Sequence, residues 1–220
     1  KAMKAMGKGM LTGTAAALGA FTIAAGAAGT QAASFQSQMQ NVGTLLDGDV
    51  QGKLQGMSKQ LKQVSIDTGA ATSDLTDGLY QVVSAFGESA ESVKQLEIAA
   101  KAAKAGNATT TDSVNMLSAV TKGYGDTSAA ALQKASDLAF LTVKLGQTSF
   151  PELASSMGQV VPLAATMKVS QEELFGAMAT LTGVTGGTAE VTTQLRATMQ
   201  EFLSPSSQME KALKKMGYTS

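Results

Sequence analysis

Residues 72–87 read TSDLTDGLYQVVSAFG, and the apolar side chains in this stretch recur three or four positions apart. These side chains are Leu75, Leu79, Val82 and Phe86. Such spacing places them on one face of an α-helix. Thr72 precedes the apolar run as a capping residue, and Asp74 and Asp77 lie near the positive end of the helix dipole. Because Gly87 follows as a stop signal, the stretch predicts one short, capped amphipathic helix.

The same pattern returns after a shift of 38 residues, which aligns Thr72-Ser73-Asp74 with Thr110-Thr111-Asp112. The other aligned pairs are Leu79 with Leu117, Val82 with Val120, and Gly87 with Gly125. A period of this length indicates stacked α-hairpins, each of which buries its apolar face against the next. A third copy near Thr148 fits only loosely, so coincidental helix spacing stays open as an alternative.

Further helix starts follow along the chain, each with a capping residue ahead of an apolar stripe. They are placed at Ser89, Thr110, Asp126, Ser149, Ser170, Thr188 and Ser204. Glu152 and Glu173 stand three positions after Ser149 and Ser170, which is the capping-box pattern. No segment alternates with period two for long enough to predict a strand. The expected fold is all-α, a multi-helix array of short capped α-hairpins.

The segment before this array carries one helical stripe from Phe35 to Val64, which predicts a long amphipathic helix or two collinear ones. Asp47-Gly48-Asp49 is the one place where it is expected to break. Two acids around a glycine are compatible with a calcium loop, but the further oxygen ligands and the distal Glu of that motif are missing. A turn that joins two helices is therefore the favoured interpretation.

Residues 1–33 form an Ala/Gly-rich hydrophobic segment, which is uncharged from Met10 to Ala33. Three interpretations compete: a signal peptide, a membrane-spanning helix, and a small-residue helix packed against other helices. The last is favoured, because glycines and threonines dilute the hydrophobicity. We expect two parts, residues 1–33 and a helical core domain over residues 34–220, within a fragment of a longer chain.

The composition excludes several classes of chemistry. Seventeen basic and seventeen acidic residues cancel, so no global field attracts nucleic acid, and specific nucleic-acid binding is not expected. Cysteine and histidine are absent, which removes disulfides, thiol nucleophiles, imidazole bases and nearly all zinc chemistry. The sequence therefore predicts no enzyme, no catalytic or metal-binding residue and no cofactor.

Four weaker candidate features also have structural explanations. Glu88, Glu91 and Glu97 could pair for acid–base work, but Lys94 and Lys101 nearby predict a solvated helix face with a Glu97–Lys101 ion pair. Two glycine-bearing loops, Gly123-Tyr124-Gly125-Asp126 and Gly186-Gly187-Thr188, precede helices as anion-binding loops do, yet lack the Gly-Lys-Ser/Thr ending. Helix capping explains both loops better. The methionines are expected to fill the core, with a promiscuous binding groove as the alternative; they are Met39, Met57, Met116, Met157, Met167, Met178, Met199, Met209 and Met216.

The succession of several short pieces resembles the core region of phage and prophage tail tape measure proteins, over about Ser34 to Gly217. No single piece is specific, and their order carries the resemblance. The pieces are Phe35-x-x-x-Met39-x-x-Val42, residues 68–75 (TGAATSDL), residues 148–153 (TSFPEL), residues 160–164 (VVPLA), residues 170–174 (SQEEL), and residues 187–190 (GTAE) through Leu195-Arg196.

This resemblance implies a structural tail assembly protein that lies in the tail lumen, sets tail length and is released during DNA ejection. It implies the tail tube protein, tail assembly chaperones, and tail tip or baseplate proteins as partners, with homo-oligomers and host membrane contact as further expectations. The protein would occupy the host bacterial cytoplasm during assembly. We expect the free chain to fold compactly, because short capped hairpins do not form a rod.

The main alternative from another class is a membrane-inserting or pore-forming helical protein that acts through residues 10–33. A coiled-coil scaffold is disfavoured, because sustained heptads fail after Val64. A peptidoglycan-cleaving enzyme lacks the catalytic and metal-binding groups that it would need.

Overall fold

The computed structural model describes residues 27–218, and within that range the chain forms α-helices and no strands, which confirms the all-α prediction. The helices are α1 (Ala27–Gly43), α2 (Val50–Thr68), α3 (Thr72–Phe86), α4 (Ser92–Gly106), α5 (Thr110–Gly123), α6 (Ala129–Leu145), α7 (Phe150–Thr166), α8 (Gln171–Thr185), α9 (Thr188–Leu203) and α10 (Ser207–Lys215).

The chain divides into two compact units, Lys1–Gln36 and Ser37–Ser220. The packing described below belongs to the second unit. Residues 10–26, which hold most of the predicted Ala/Gly-rich helix and of the candidate membrane segment, lie outside the described residues. Within the described part of the chain, no helix combines the length and the apolar character that crossing a membrane requires.

The second unit is a two-layer array of helices. Helices α3, α5, α7 and α9 pack side by side in chain order and form what we call the odd layer. Helices α2, α4, α6 and α8 do the same and form the even layer. Consecutive helices join the layers, so most contacts run between near neighbours in the chain, as in a helical repeat protein. The predicted array of stacked α-hairpins is confirmed.

The repeat period explains why the third copy matched only loosely. Odd-layer helices start at Thr72, Thr110, Phe150 and Thr188, so the middle interval is two residues longer than its neighbours. Helix α6 has 17 residues where α4 and α8 have 15, and the shorter α5 is balanced by a longer linker before α7. A fixed shift of 38 therefore loses register at α7.

The core is filled by the apolar stripes of both layers. Its largest fully buried side chains are Phe150, Phe175, Leu61, Leu75, Leu79, Leu96, Met116, Leu117, Leu132, Leu153, Met157 and Leu174. The rings of Phe140 and Phe150 stack at 5.0 Å between their centroids, which ties α6 to α7. Glycines admit close approach elsewhere: a Cβ at Gly106 would lie 2.5 Å from Cγ of Phe150.

The predicted long amphipathic helix is interrupted. Helix α1 ends at Gly43, residues 44–49 form a turn, and α2 begins at Val50. Gly48 adopts a positive φ of 69°, a conformation that few other residues tolerate, and Asp49 caps α2. The predicted break at Asp47-Gly48-Asp49 is confirmed, although the turn already starts at Thr44.

Three predicted helix starts were placed too early. The helix assigned to Ser89 begins at Ser92, the one assigned to Asp126 begins at Ala129 behind its cap Ser128, and the last begins at Ser207. In each case a polar residue that could act as a cap precedes the helix start by several positions. The capping boxes at Ser149 and Ser170 are both present as predicted.

Candidate functional site

The structure brings helix starts of successive repeats together along the odd layer. The carboxylate of Asp74, in the first turn of α3, accepts hydrogen bonds from the backbone N–H of Thr110 at 3.1 Å and from the Thr110 hydroxyl. Thr110 is the first residue of α5, so an acid in one repeat satisfies a free amide at the start of the next. This contact fixes the register between the two repeats.

A similar contact joins the last two odd-layer helices. The Thr188 hydroxyl, at the start of α9, donates to the Thr148 hydroxyl at 2.7 Å and lies 3.5 Å from Oε2 of Glu152. Glu152 is the third residue of α7, the position that Asp74 holds in α3. An acidic residue stands at the third position of each odd-layer helix, where its negative charge is favourable near the positive end of the helix dipole. In α3 and α7 this residue also contacts the first residue of the next odd-layer helix.

A hydrogen bond of the same kind joins two even-layer helices among the described residues. Oε2 of Glu91, just before α4, accepts a hydrogen bond of 3.2 Å from the N–H of Ala129, the first residue of α6. Gln95 of α4 donates from its amide to the Thr127 carbonyl at 2.9 Å. The start of α6 is therefore held by side chains from the preceding even-layer helix.

The three carboxylates that could pair for acid–base chemistry, those of Glu88, Glu91 and Glu97, each contact a different partner. Oε2 of Glu88 pairs with Nζ of Lys53 at 2.6 Å, and Glu91 serves Ala129. Glu97 forms ion pairs with Lys101 at 2.5 Å and Lys94 at 3.1 Å, and hydrogen bonds from these lysines, Lys101 first, hold its pKa below the usual range. The predicted Glu97–Lys101 pair is confirmed, while Glu88 and Glu91 precede α4 instead of lying on it.

The residues around Gly48 act as a capping turn. Oδ1 of Asp49 accepts from the N–H of Gly52 at 3.0 Å, and the backbone carbonyl of Asp47 accepts from Nζ of Lys53 at 2.6 Å. Among the described residues, no group of three or more acidic side chains is arranged to hold a metal ion. The turn interpretation is confirmed.

The loop at Gly123-Tyr124-Gly125-Asp126 is turned toward acidic groups. Burial raises the pKa of Tyr124 to about 12, with Glu172 and Glu173 adding to the shift. The Asp126 carboxylate accepts a 2.9 Å hydrogen bond from the N–H of Ser128. Because negative charge already faces this loop, it is a poor place for a phosphate group. Capping and turn formation account for it.

The loop at Gly186-Gly187-Thr188 also has a structural role, since it connects α8 to α9. Gly186 takes a positive φ of 93° to end α8, and Gly187 occupies the cap position of α9 without a side chain. Thr188 is buried, and its hydroxyl is engaged with Thr148. The loop therefore joins two stacked helices.

Most of the methionines singled out in the sequence lie in the core. The buried ones are Met39, Met57, Met116, Met157, Met178 and Met199. Met167 and Met209 are half-buried, and Met216 is 63% exposed. Core filling is thus confirmed for six of the nine.

A polar groove of about 460 Å³ lies between α1 and α3. Its lining residues are Gln38, Asn41, Thr44, Thr76, Asp77, Tyr80, Gln81 and Thr111. Amide, hydroxyl and carboxylate groups dominate this lining, whereas small-molecule sites are mostly apolar with a few polar groups. The groove presents a polar surface at the first odd-layer helix.

The sequence missed the contacts between repeats, because it shows caps but not which helix starts lie together. The available signal was the acid at the third position of α3, α5, α7 and α9: Asp74, Asp112, Glu152 and Glu190. The contacts that recur along the described part of the fold are therefore those between stacked helices.

Comparison with known proteins places these features in a family. No curated protein and no solved structure matches the chain. A family model described as phage-related minor tail protein matches residues 58–220, from the middle of α2 to the last residue and across the whole two-layer array from α3 onward. Since this match covers well over half of the chain, the protein belongs to the phage-related minor tail protein family and is a structural component of the phage tail.

Proposed function

We propose that the chain is part of a tape measure protein, which lies in the lumen of the growing tail and determines its length. On this proposal it has no catalytic role and leaves the tube during DNA ejection. Its partners are the tail tube protein, tail assembly chaperones, and tail tip or baseplate proteins. Assembly takes place in the host bacterial cytoplasm.

The observation that carries the proposal is the array of helical repeats with nearly equal length. Successive odd-layer helices start at Thr72, Thr110, Phe150 and Thr188, and each repeat contacts mainly its neighbours. In such an array, the number of repeats can change without rebuilding the rest of the fold. A length-determining protein requires this property, because its extended length must increase in proportion to the number of its residues.

The array and an extended ruler differ in reach per residue. An α-helix rises about 1.5 Å per residue, so a repeat of 38 residues drawn out as helix spans about 57 Å. The same repeat stacked side by side adds about 10 Å, the distance between packed helices. We propose that the free chain folds as the array and that its repeats separate inside the tail.

Duplication of one repeat in the phage genome tests the proposal. A second copy of residues 72–109, inserted after residue 109, adds one α3–α4 unit in the existing register. We expect tails to lengthen by about 57 Å, measured by electron microscopy of purified particles. Lengthening by only about 10 Å would contradict the separation of the repeats.

Deletion of residues 110–149, which removes α5 and α6, is the matched variant that should shorten the tail. Tails of this phage should be shorter by a similar amount. Tails of unchanged length in both phages would refute a length-determining role, whereas particles without tails would call for smaller deletions within the same repeat.

A further inference from the structure

The polar groove between α1 and α3 is lined by side chains that helical spacing brings together. Tyr80 and Gln81 stand three and four residues after Asp77, so these three side chains share one face of α3. Gln38 and Asn41, three residues apart, share a face of α1 in the same way. The lining is completed by the hydroxyl side chains of Thr44, Thr76 and Thr111. All eight lining residues belong to the second unit.

Most of these side chains have no partner within the chain. Among the described residues, Gln38, Asp77, Tyr80, Gln81 and Thr111 form no side-chain hydrogen bond, ion pair or ring contact. They nevertheless line one concave space of about 460 Å³. A single bound molecule could therefore contact several of these groups at once.

Asp74 and Asp77 stand one turn apart on α3 but differ in their contacts. Asp74 accepts hydrogen bonds from Thr110 at the junction of two repeats. Asp77 is exposed and, within the part of the chain that the structure describes, forms no hydrogen bond or ion pair. The packing of the repeats thus accounts for Asp74 and does not account for Asp77 or for the amides that line the same groove.

The lining groups restrict the chemistry of a ligand. Asp77 is negatively charged and none of the eight described lining residues is basic, so the groove disfavours an anion such as phosphate. A cation could use only the acceptor atoms and would leave the N–H groups of three side-chain amides unpaired. An apolar ligand would remove water from amides and hydroxyls without replacing their hydrogen bonds. These groups best match a neutral ligand that both donates and accepts hydrogen bonds.

We propose that this groove binds a neutral carbohydrate. Each sugar hydroxyl both donates and accepts hydrogen bonds, as do the side-chain amides of Gln38, Asn41 and Gln81. The Asp77 carboxylate accepts from sugar hydroxyls, and Tyr80 adds an apolar ring and a hydroxyl on one side chain. A volume of about 460 Å³ lies toward the small end of ligand sites, which favours a mono- or disaccharide. This inference does not depend on a length-determining role.

Nuclear magnetic resonance of the ¹⁵N-labelled 220-residue chain tests the proposal. The probes are the neutral disaccharides maltose, cellobiose, lactose and N,N′-diacetylchitobiose. Each is titrated through the millimolar range, because a groove without a large apolar wall should bind weakly. At least one disaccharide should shift the side-chain amide signals of Gln38, Asn41 and Gln81 until they saturate, while amides far from the groove stay unchanged.

Asn41→Ala combined with Asp77→Ala removes one hydrogen-bonding group from each wall of the groove. The dissociation constant of the disaccharide should rise by at least about tenfold, because the hydrogen bonds of an amide and a carboxylate are lost. Both side chains are exposed, so helical circular dichroism should stay unchanged.

Asn115→Ala combined with Asp137→Ala is the matched control. It changes the same two residue types at exposed positions of α5 and α6 that do not line the groove. This double variant should bind the disaccharide like the unaltered chain. If the two double variants weakened binding equally, the groove would not be the site.

Spermidine and inorganic phosphate serve as the charged probes in the same titration. Both should bind more weakly than the best disaccharide, because the groove pairs donors with acceptors and has no basic side chain among its described lining residues. Tighter binding of either ion, or the failure of every disaccharide to shift the groove amides, would overturn the proposal.

Discussion

Gly78 illustrates how closely the helices approach one another at single residues. A Cβ at this position would overlap Cγ2 of Thr110 and lie 3.0 Å from Cδ1 of Leu96, on two different helices. We expect Gly78→Ala to lower the free energy of unfolding by about 1–3 kcal/mol, because the added methyl group overpacks the core. Urea denaturation followed by circular dichroism measures this change.

Gly176 is the control for Gly78. It lies inside α8, where an added Cβ would meet no atom within 4 Å. Gly176→Ala should raise the free energy of unfolding by about 0.5–1 kcal/mol, since it only removes backbone freedom from the unfolded chain. If both variants changed stability in the same direction, close packing at Gly78 would not be the cause.

Glu97 gives stability an acid-sensitive component. Hydrogen bonds from Lys101 first and then from Lys94 lower the pKa of Glu97 in the folded chain. The contribution of Glu97 to the free energy of unfolding is therefore complete above its unfolded pKa of about 4.3 and disappears as pH falls through its lower folded pKa. The unaltered chain should therefore exceed Glu97→Gln in urea midpoint at pH 7, and the difference should vanish in acid. A difference that persists in acid would point to packing and not to charge.

The helix elements show where sequence reasoning succeeds. The Ser149 and Ser170 capping boxes predicted the starts of α7 and α8 within one residue, because those signals act within a single turn. The starts of α4 and α6 were missed, because Ser89 and Asp126 belong to turns that continue to Ser92 and Ser128. Which helix starts meet, as Glu152 and Thr188 do, depends on packing between repeats and has no local signal.

Pro162 is an element-scale irregularity, because it lies inside α7. Proline lacks the N–H that would bond to the carbonyl four residues earlier and crowds that carbonyl, here that of Gly158. Pro162 is exposed, so Pro162→Ala removes no core contact. We expect the free energy of unfolding to rise by about 1–3 kcal/mol, measured as a higher urea midpoint.

Pro151 provides the comparison within the same helix. It occupies the first turn of α7, where no intrahelical N–H bond is lost. Pro151→Ala should change the free energy of unfolding by less than about 0.5 kcal/mol. An equal gain from both substitutions would mean that general helix propensity, and not the interior position, sets the effect.

At the scale of the whole second unit, stability should depend on how many layer helices remain. A chain ending at Ser206 loses only α10, which has no buried residue, and should keep nearly the same thermal midpoint. A chain ending at Gly186 also loses α9, which packs against both α7 and α8. Its midpoint should fall clearly, and calorimetry of the two truncations distinguishes these outcomes.

The neighbour-to-neighbour contacts of the array also determine how it would respond to mechanical load. Within the described residues of the second unit, each helix contacts mainly its neighbours, so a pull along the chain should separate the array repeat by repeat from one end. Each event would release about 38 residues, or roughly 130 Å of contour, and a force trace would show evenly spaced steps. On the proposed tape measure role, pulling the protein out of the tail tube would then take a series of small forces, one for each repeat, and not one large force.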